Sequence, residues 1–269
     1  MTRKAVILAR GLGTRMRRED ERASLDPVQA AAAASGVKAM ISFGRPFLDY
    51  VLSALADAGL EEVCLVIGPE HVAVREYYTE TAPPRRMRVA FAVQEKPRGT
   101  ADAVLSAEEF AAGGDFLVIN SDNYYPVSAL AALAGLAEPG VALFERASLI
   151  ATSNIPAERI ASFAVCVVGA DGYLEEILEK PDEKTLAGLG PDLPVSMNCW
   201  RFPSAIFAAC RRVPLSPRGE LELPMAVREA IRAGVRFRVL RCREGVLDLS
   251  RRSDIAAVAE RLRGIAADP

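Results

Sequence analysis

The chain carries one histidine, one tryptophan and five cysteines in 269 residues. His71 has no ligand-spaced partner, which excludes a histidine-based zinc centre and a Ser/His hydrolase. It reads as a surface residue near a helix start. Cys64, Cys166, Cys199, Cys210 and Cys242 form no Cys-x-x-Cys pair and mostly sit in apolar, strand-like settings. They read as buried free thiols of a reducing compartment. Charge is nearly balanced, 33 Lys and Arg against 35 Asp and Glu, so there is no broad basic surface for nucleic acid. A nucleotide ligand, which needs only a few local cations, is not excluded. The first apolar run is broken by Arg10 before it reaches signal-peptide length, and no run approaches a membrane span. These absences predict a cytoplasmic protein with neither nucleic acid nor membrane as partner; they leave homo-oligomerisation open.

What is present is a repeated alternation. Short β-branched runs occur at Ala5–Leu8, Glu62–Ile67, Arg88–Val93, Phe116–Asn120, Val141–Phe144, Phe163–Val168, Val195–Phe202 and Arg236–Leu240. Several are apolar almost throughout, as strands covered on both faces are. Between them lie helical patterns. Pro46–Gly59 places Phe47, Tyr50, Val51 and Leu55 at helical spacing, and Ala101–Ala111, Val127–Leu136 and Arg251–Ala267 are similar. Asp171-Gly172 marks a hairpin turn after Phe163–Val168. The alternation predicts an α/β fold, a Rossmann-like, mostly parallel central sheet with helices on both faces. One domain spanning 1–269 is expected, interrupted by a charged stretch at 17–36 that reads as a mobile lid or a solvated insertion.

The first strand opens into Leu8-Ala9-Arg10-Gly11-Leu12-Gly13-Thr14-Arg15-Met16. Glycine lets a backbone approach phosphate closely, and arginine offers a planar fork of donors to phosphate oxygens. The loop is not a Walker A motif, because Gly13-Thr14-Arg15 lacks the terminal Gly-Lys-Ser/Thr. Nor is it a dinucleotide fingerprint, since Met16 stands at the third glycine. Downstream come Lys38, Gly44-Arg45-Pro46, Gln94 with Gly99-Thr100-Ala101, Asn120-Ser121-Asp122-Asn123, Glu179-Lys180-Pro181, Ser196-Met197-Asn198, Arg218-Gly219-Glu220 and Leu247-Asp248-Leu249. A glutamine amide offers both donor and acceptor to a base edge. An acid at the carboxyl end of a buried strand stands where α/β sheets place ligand chemistry.

In this order the segments resemble the blocks of the sugar-1-phosphate nucleotidyltransferase family, over nearly the whole chain. The resemblance implies the nucleotide-diphospho-sugar transferase fold and an enzyme of nucleotide-sugar biosynthesis. An NTP and a sugar 1-phosphate would give an NDP-sugar and pyrophosphate by Mg²⁺-dependent in-line attack. It implies catalytic roles for Arg15 on the β- and γ-phosphates, Lys38 on the triphosphate and Lys180 on the sugar phosphate. Ala9, Arg10, Gly11, Gly13, Thr14, Gln94, Gly99 and Thr100 would bind the nucleotide, with UTP or dTTP favoured. Glu179, Asn198 and Glu220 would contact the sugar, and Asp122 and Asp248 would hold Mg²⁺. The departures are Arg10 where relatives have Ala or Gly, Ser121 for a glycine, and Asn198 in a glycine's place. The Arg10 side chain is expected to point outward or toward phosphate, and Thr100 to cap the helix it begins. A non-catalytic homologue that senses nucleotide sugars is the alternative reading.

Overall fold

A computed structural model of the chain describes residues 1–20, 23, 25–179 and 193–269. Lys180 lies outside the described residues.

The apolar runs form β1 (Lys4–Leu8), β2 (Glu62–Ile67), β3 (Arg88–Val93), β4 (Phe116–Asn120), β5 (Asn123–Tyr124), β6 (Gly140–Phe144), β7 (Ala164–Val168), β8 (Leu174–Leu178), β9 (Val195–Phe202), β10 (Arg238–Cys242) and β11 (Leu247–Asp248). Among the described residues nine strands make one sheet, with β10-β6-β9-β4-β1-β2-β3 as its main path and β7 and β8 attached through β9. Four of the six neighbour pairs on that path are parallel, and β9 runs antiparallel to both β4 and β6. A strand buried on both faces has the same composition in either direction, so this reversal left no mark in the sequence pattern. β7 and β8 form the expected hairpin.

Side chains alternate across the sheet with period two. Ala5 and Ile7 of β1 enter one apolar core with the helix Phe47–Asp57, while Val6 and Leu8 enter another with Thr100–Ser106, Ala205–Arg212 and Leu223–Arg232. Helices therefore cover both faces. Four cysteines are buried free thiols and Cys242 is half-buried. His71 is buried rather than on the surface: its Nδ1 accepts the Gly68 N–H at 3.3 Å. No helix among the described residues is long and apolar enough to cross a membrane.

The predicted insertion contributes a helix, Pro27–Ser35, closed by a reciprocal capping box between Asp26 and Gln29. Its end presses on the loop that follows β1. A Cβ on Gly13, whose φ is +61°, would lie 2.1 Å from the Gly36 carbonyl oxygen, and Arg17 donates from Nη2 to the Ser35 carbonyl at 2.8 Å. Both loop and helix end need glycine for this backbone contact.

The first turn of Phe47–Asp57 carries a fully buried acid. Asp49 accepts Arg45 Nε at 2.6 Å, Tyr78 Oη at 2.8 Å and Tyr77 Oη at 3.3 Å, tying this helix to the segment after β2. Replacing Asp49 by Ala strands a buried hydroxyl and should destabilise the fold by about 2–4 kcal/mol. Asp49→Asn keeps an acceptor and should cost less. Urea unfolding of the two variants beside the parent measures both, and equal midpoints for all three would refute the assignment.

Candidate active site

β1, β2, β3 and β4 are mutually parallel, so the segments that leave them emerge on one side of the sheet. They enclose a cleft of about 420 Å³. The cleft is lined by Ala9, Arg10, Gly11, Gly13, Thr14 and Arg15 after β1, Gln94, Gly99 and Thr100 after β3, and Ser121 and Asp122 after β4. Lys38, Asn198 and Glu220 complete it. Of the predicted site residues, Glu179 and Asp248 stand outside this lining. Glu179 ends the β8 hairpin 4.0 Å from Arg218, whose guanidinium also faces Glu220 at 3.9 Å and Glu222 at 2.7 Å.

Two carboxylates organise the acidic end. β11 pairs antiparallel with β5 so that Asp248 lies opposite Asn123, and Leu249 N–H donates to the Asp122 carbonyl at 2.8 Å. That register brings the buried Asp248 next to Asp122. Asn123 Nδ2 and Ser250 Oγ each donate to Asp248 Oδ1 at 3.0 Å, and the nearly buried Arg159 places Nη2 2.9 Å from Oδ2. Arg159 also holds Asp254, and the Asn154 amide pairs with the Asp248 backbone in both directions. On Asp122, Lys38 Nζ makes a 2.6 Å ion pair with Oδ2. Burial alone would lower the Lys38 pKa; the adjacent Asp122 outweighs it and the net shift is upward, so the ammonium stays charged. Arg15 is exposed at the cleft mouth with no hydrogen bond or ion pair among the described residues.

This donor set fits a divalent cation. A carboxylate offers about four lone-pair positions, and hydrogen bonds use two on Asp248 and one on Asp122, Arg159 adding an ion pair at Asp248 Oδ2. No cluster of three or more His, Cys, Asp or Glu exists among the described residues. Two carboxylates with the remaining positions left to phosphate and water is the way Mg²⁺ is usually held.

Backbone conformation accounts for one of the departures, Asn198. Asn198 sits in β9 with φ +56°, a left-handed conformation that asparagine tolerates better than other side chains. It stands opposite a register shift between Val141 and Leu143. Gly99, at φ +120°, is required for a neighbour within the protein, since a Cβ there would meet the Leu221 carbonyl oxygen at 2.5 Å. Thr100 does not cap its own helix: its Oγ1 accepts Leu223 N–H at 2.9 Å, at the start of Leu223–Arg232. Gln94 donates from Nε2 to the Gly99 carbonyl at 3.0 Å and to Asp102 Oδ2 at 2.8 Å. The Arg10 side chain is buried and does not point outward as expected. It turns to the Gln94 carbonyl and Glu70, where its charge is neutralised.

Arg159, Asn154, Asp102 and Glu70 are supporting residues that motif spacing missed, while Asn123 lies inside the Asp122 motif without its role being evident there. Each acts through another side chain or a backbone group, and no local pattern in the sequence distinguishes it from a surface polar residue.

The comparisons agree with this geometry. The Nucleotidyl transferase family matches residues 4–244. A UTP–glucose-1-phosphate uridylyltransferase, AglF, of Haloferax volcanii is 27% identical over 97% of this chain and 96% of its own length. A glucose-1-phosphate thymidylyltransferase of Streptomyces griseus is 29% identical over 86% of this chain, which spans 58% of that protein. A crystal structure of UDP-glucose pyrophosphorylase complexed with UDP-glucose superposes with a TM-score of 0.75 at 17% identity, covering 98% of this chain and 99% of that one.

Burial, then the facing charge of Asp122, push the Asp248 carboxyl up to about 6, with Arg159 pulling the other way. The native fold therefore favours the protonated form. This group's contribution to stability is full below the ordinary carboxylate range and is lost as pH rises through about 6. A divalent cation needs the ionised form, so Mn²⁺ affinity should fall as pH drops from neutrality through about 6. Titration of Mn²⁺ by electron paramagnetic resonance at a series of pH values measures this. Affinity independent of pH would separate Asp248 from the metal.

Proposed function

The chain belongs to the nucleotidyl transferase family as a sugar-1-phosphate nucleotidyltransferase, condensing an NTP with a sugar 1-phosphate to release pyrophosphate; we propose that its NTP is UTP or dTTP and its sugar phosphate glucose 1-phosphate. The observation that carries the base assignment is the Gln94 amide, whose two N–H groups are spent on the Gly99 carbonyl and Asp102. Its carbonyl oxygen is then the group offered to a ligand, an acceptor that suits the N3–H of uracil or thymine and disfavours the bare N3 of cytosine. Backbone N–H groups at Gly99 and Thr100 supply donors for the flanking base carbonyls. The names of the two relatives, one acting with UTP and the other a thymidylyltransferase, support the same pair of bases and glucose 1-phosphate.

A phosphate oxygen of the sugar 1-phosphate attacks the α-phosphorus in line. The new P–O bond forms as the bond from the α-phosphorus to the bridging oxygen of pyrophosphate breaks, and the electron pair leaves with pyrophosphate. The nucleophile is already an anion, so no side chain has to remove a proton. The residue inventory is consistent with that: His71 is buried, and burial pushes the Cys64, Cys166 and Cys210 thiols up to about 12. The obstacle is bringing two phosphate anions together, which positioning and fixed positive charge overcome.

Arg15, exposed in the cleft with no partner among the described residues, binds the β- and γ-phosphates. Lys38 exchanges its Asp122 partner for the triphosphate near the leaving group. The role of contacting the sugar phosphate is assigned to Lys180 by the family resemblance alone. Glu179, Asn198 and Glu220 bind sugar hydroxyls, with Arg218 holding the two glutamates in place. Asp122 and Asp248 would hold Mg²⁺, which would supply neutralisation of phosphate charge.

Pyrophosphate release measured over UTP, dTTP, CTP, ATP and GTP with glucose 1-phosphate should be fastest with UTP or dTTP. A preference for CTP or a purine would overturn the base assignment. Arg15→Ala should lower kcat/KM by about 10²–10³-fold, the usual consequence of removing one charge-stabilising donor. Asp122→Ala should abolish metal-dependent turnover. Full Mg²⁺-dependent activity in that variant would disprove the metal assignment.

A further inference from the structure

Arg10 is the largest departure in the phosphate loop, and its surroundings are specific. The side chain is only 7% exposed. Nε donates to the Gln94 carbonyl at 2.6 Å, and Nη2 approaches the Glu95 carbonyl at 3.5 Å. Nη1 and Nη2 meet the two carboxylate oxygens of Glu70 at 3.0 and 3.2 Å, a parallel two-point ion pair. Glu70 is itself packed from behind. A Cβ on Gly68 would lie 2.4 Å from its Oε2, and His71 Nε2 is 3.8 Å from its Oε1. One guanidinium thus bridges the segments that follow β1, β2 and β3.

The bridge lands on the backbone of the residue whose side chain faces the base. Gln94 is held at its N–H by the Ile67 carbonyl at 2.9 Å, at its carbonyl by Arg10, and at its amide nitrogen by Gly99 and Asp102. With alanine or glycine at position 10 the carbonyl anchor would be missing and the cleft wider on this side.

We propose that Arg10 is a specificity-determining, positioning residue: through the Gln94 carbonyl and Glu70 it fixes the base-reading wall at the distance a pyrimidine requires. This rests on the assignment of Gln94 to the base. The Arg10 charge is neutralised by Glu70, so Arg10 adds nothing to the phosphate clamp. Lysine cannot replace it, because a single ammonium does not reproduce a planar fork spanning a carbonyl and a carboxylate.

Equilibrium titration with UTP, ATP and inorganic tripolyphosphate, on the parent and on Arg10→Ala, Arg10→Lys and Glu70→Gln, tests this without turnover. Arg10→Ala and Arg10→Lys should weaken UTP about tenfold, the loss of one or two charge-assisted hydrogen bonds. Tripolyphosphate affinity should stay at the parent value, and the UTP-to-ATP affinity ratio should contract. Glu70→Gln, at a half-exposed position that tolerates substitution, should move UTP in the same direction by about threefold and carries the test if the Arg10 variants fail to fold. A tripolyphosphate affinity that falls together with that of UTP would make Arg10 a phosphate ligand and overturn the proposal. An unchanged UTP-to-ATP ratio would overturn it as well. A parent that binds ATP more tightly than UTP would refute the pyrimidine assignment; a ratio that Arg10→Ala still shifts would then leave Arg10 as the residue that sets base selectivity.

Discussion

The constraint on which this site depends is the closeness of two carboxylates. Asp122 follows β4 and Asp248 lies in β11, 126 positions later, and the β5–β11 pairing brings them side by side. Like charges in a partly buried place repel, and the structure counters them with Lys38 on Asp122, Arg159 on Asp248, and donors from Asn123 and Ser250. Those counter-charges explain features remote from the cleft. Asp254 holds the other side of Arg159 while accepting backbone N–H groups of Ser250 and Arg251, so the entry to the helix Asp254–Leu262 is built around an arginine committed to Asp248. A closing helix that reads from sequence as simple amphipathic cover also orients a carboxylate.

A second constraint is backbone contact. The phosphate loop touches the end of Pro27–Ser35 through Gly13 and Gly36, and Gly99 touches the strip that contains Leu221. Glycine in these loops thus serves contacts within the protein as well as any approach of ligand. Asn198 shows the same economy of conformation: the left-handed geometry of β9 persists although the residue is not glycine, and asparagine is the substitution such a position admits most readily.

Much of the fold was legible because buried parallel strands and amphipathic helices leave periodic patterns. β2, β3, β4 and β9 begin and end where the apolar runs do. The last large strand is displaced: Arg236–Leu240 was expected and Arg238–Cys242 forms, since Arg238 and Cys242 pair with Gly140 and Phe144 of β6 and the partner sets the register. The cleft residues were legible through motif order, because Arg15, Lys38, Gln94, Asp122, Asn198 and Glu220 lie on separate segments that only the sheet unites. The supporting shell was not legible. Arg159 and Asn154 reach Asp248 across 89 and 94 positions, and their identity is set by a three-dimensional neighbour that local sequence does not describe. The partners of Arg10 and Thr100 were misread for the same reason: proximity to a loop or helix start suggested local roles, whereas both serve distant backbone groups.

The two ends of the cleft are built on opposite principles. On one side, Arg10, Gln94, Glu70 and Asp102 are tied to one another by hydrogen bonds and ion pairs. On the other side Arg15 has no partner among the described residues, and Lys38 pairs with the single carboxylate of Asp122. Rigid, satisfied groups discriminate, because a wrong base meets unpaired atoms that cannot rearrange. Unsatisfied or exchangeable charges suit a reaction whose charge moves from the triphosphate to departing pyrophosphate. Lys38 is central to that second requirement. Its ammonium pairs with Asp122 at 2.6 Å, so the carboxylate that faces Asp248 carries a counter-charge of its own. The counter-charges of Lys38 and Arg159 reduce the repulsion between the two acids without cancelling it, as the raised Asp248 carboxyl records, and that reduction lets one site hold both.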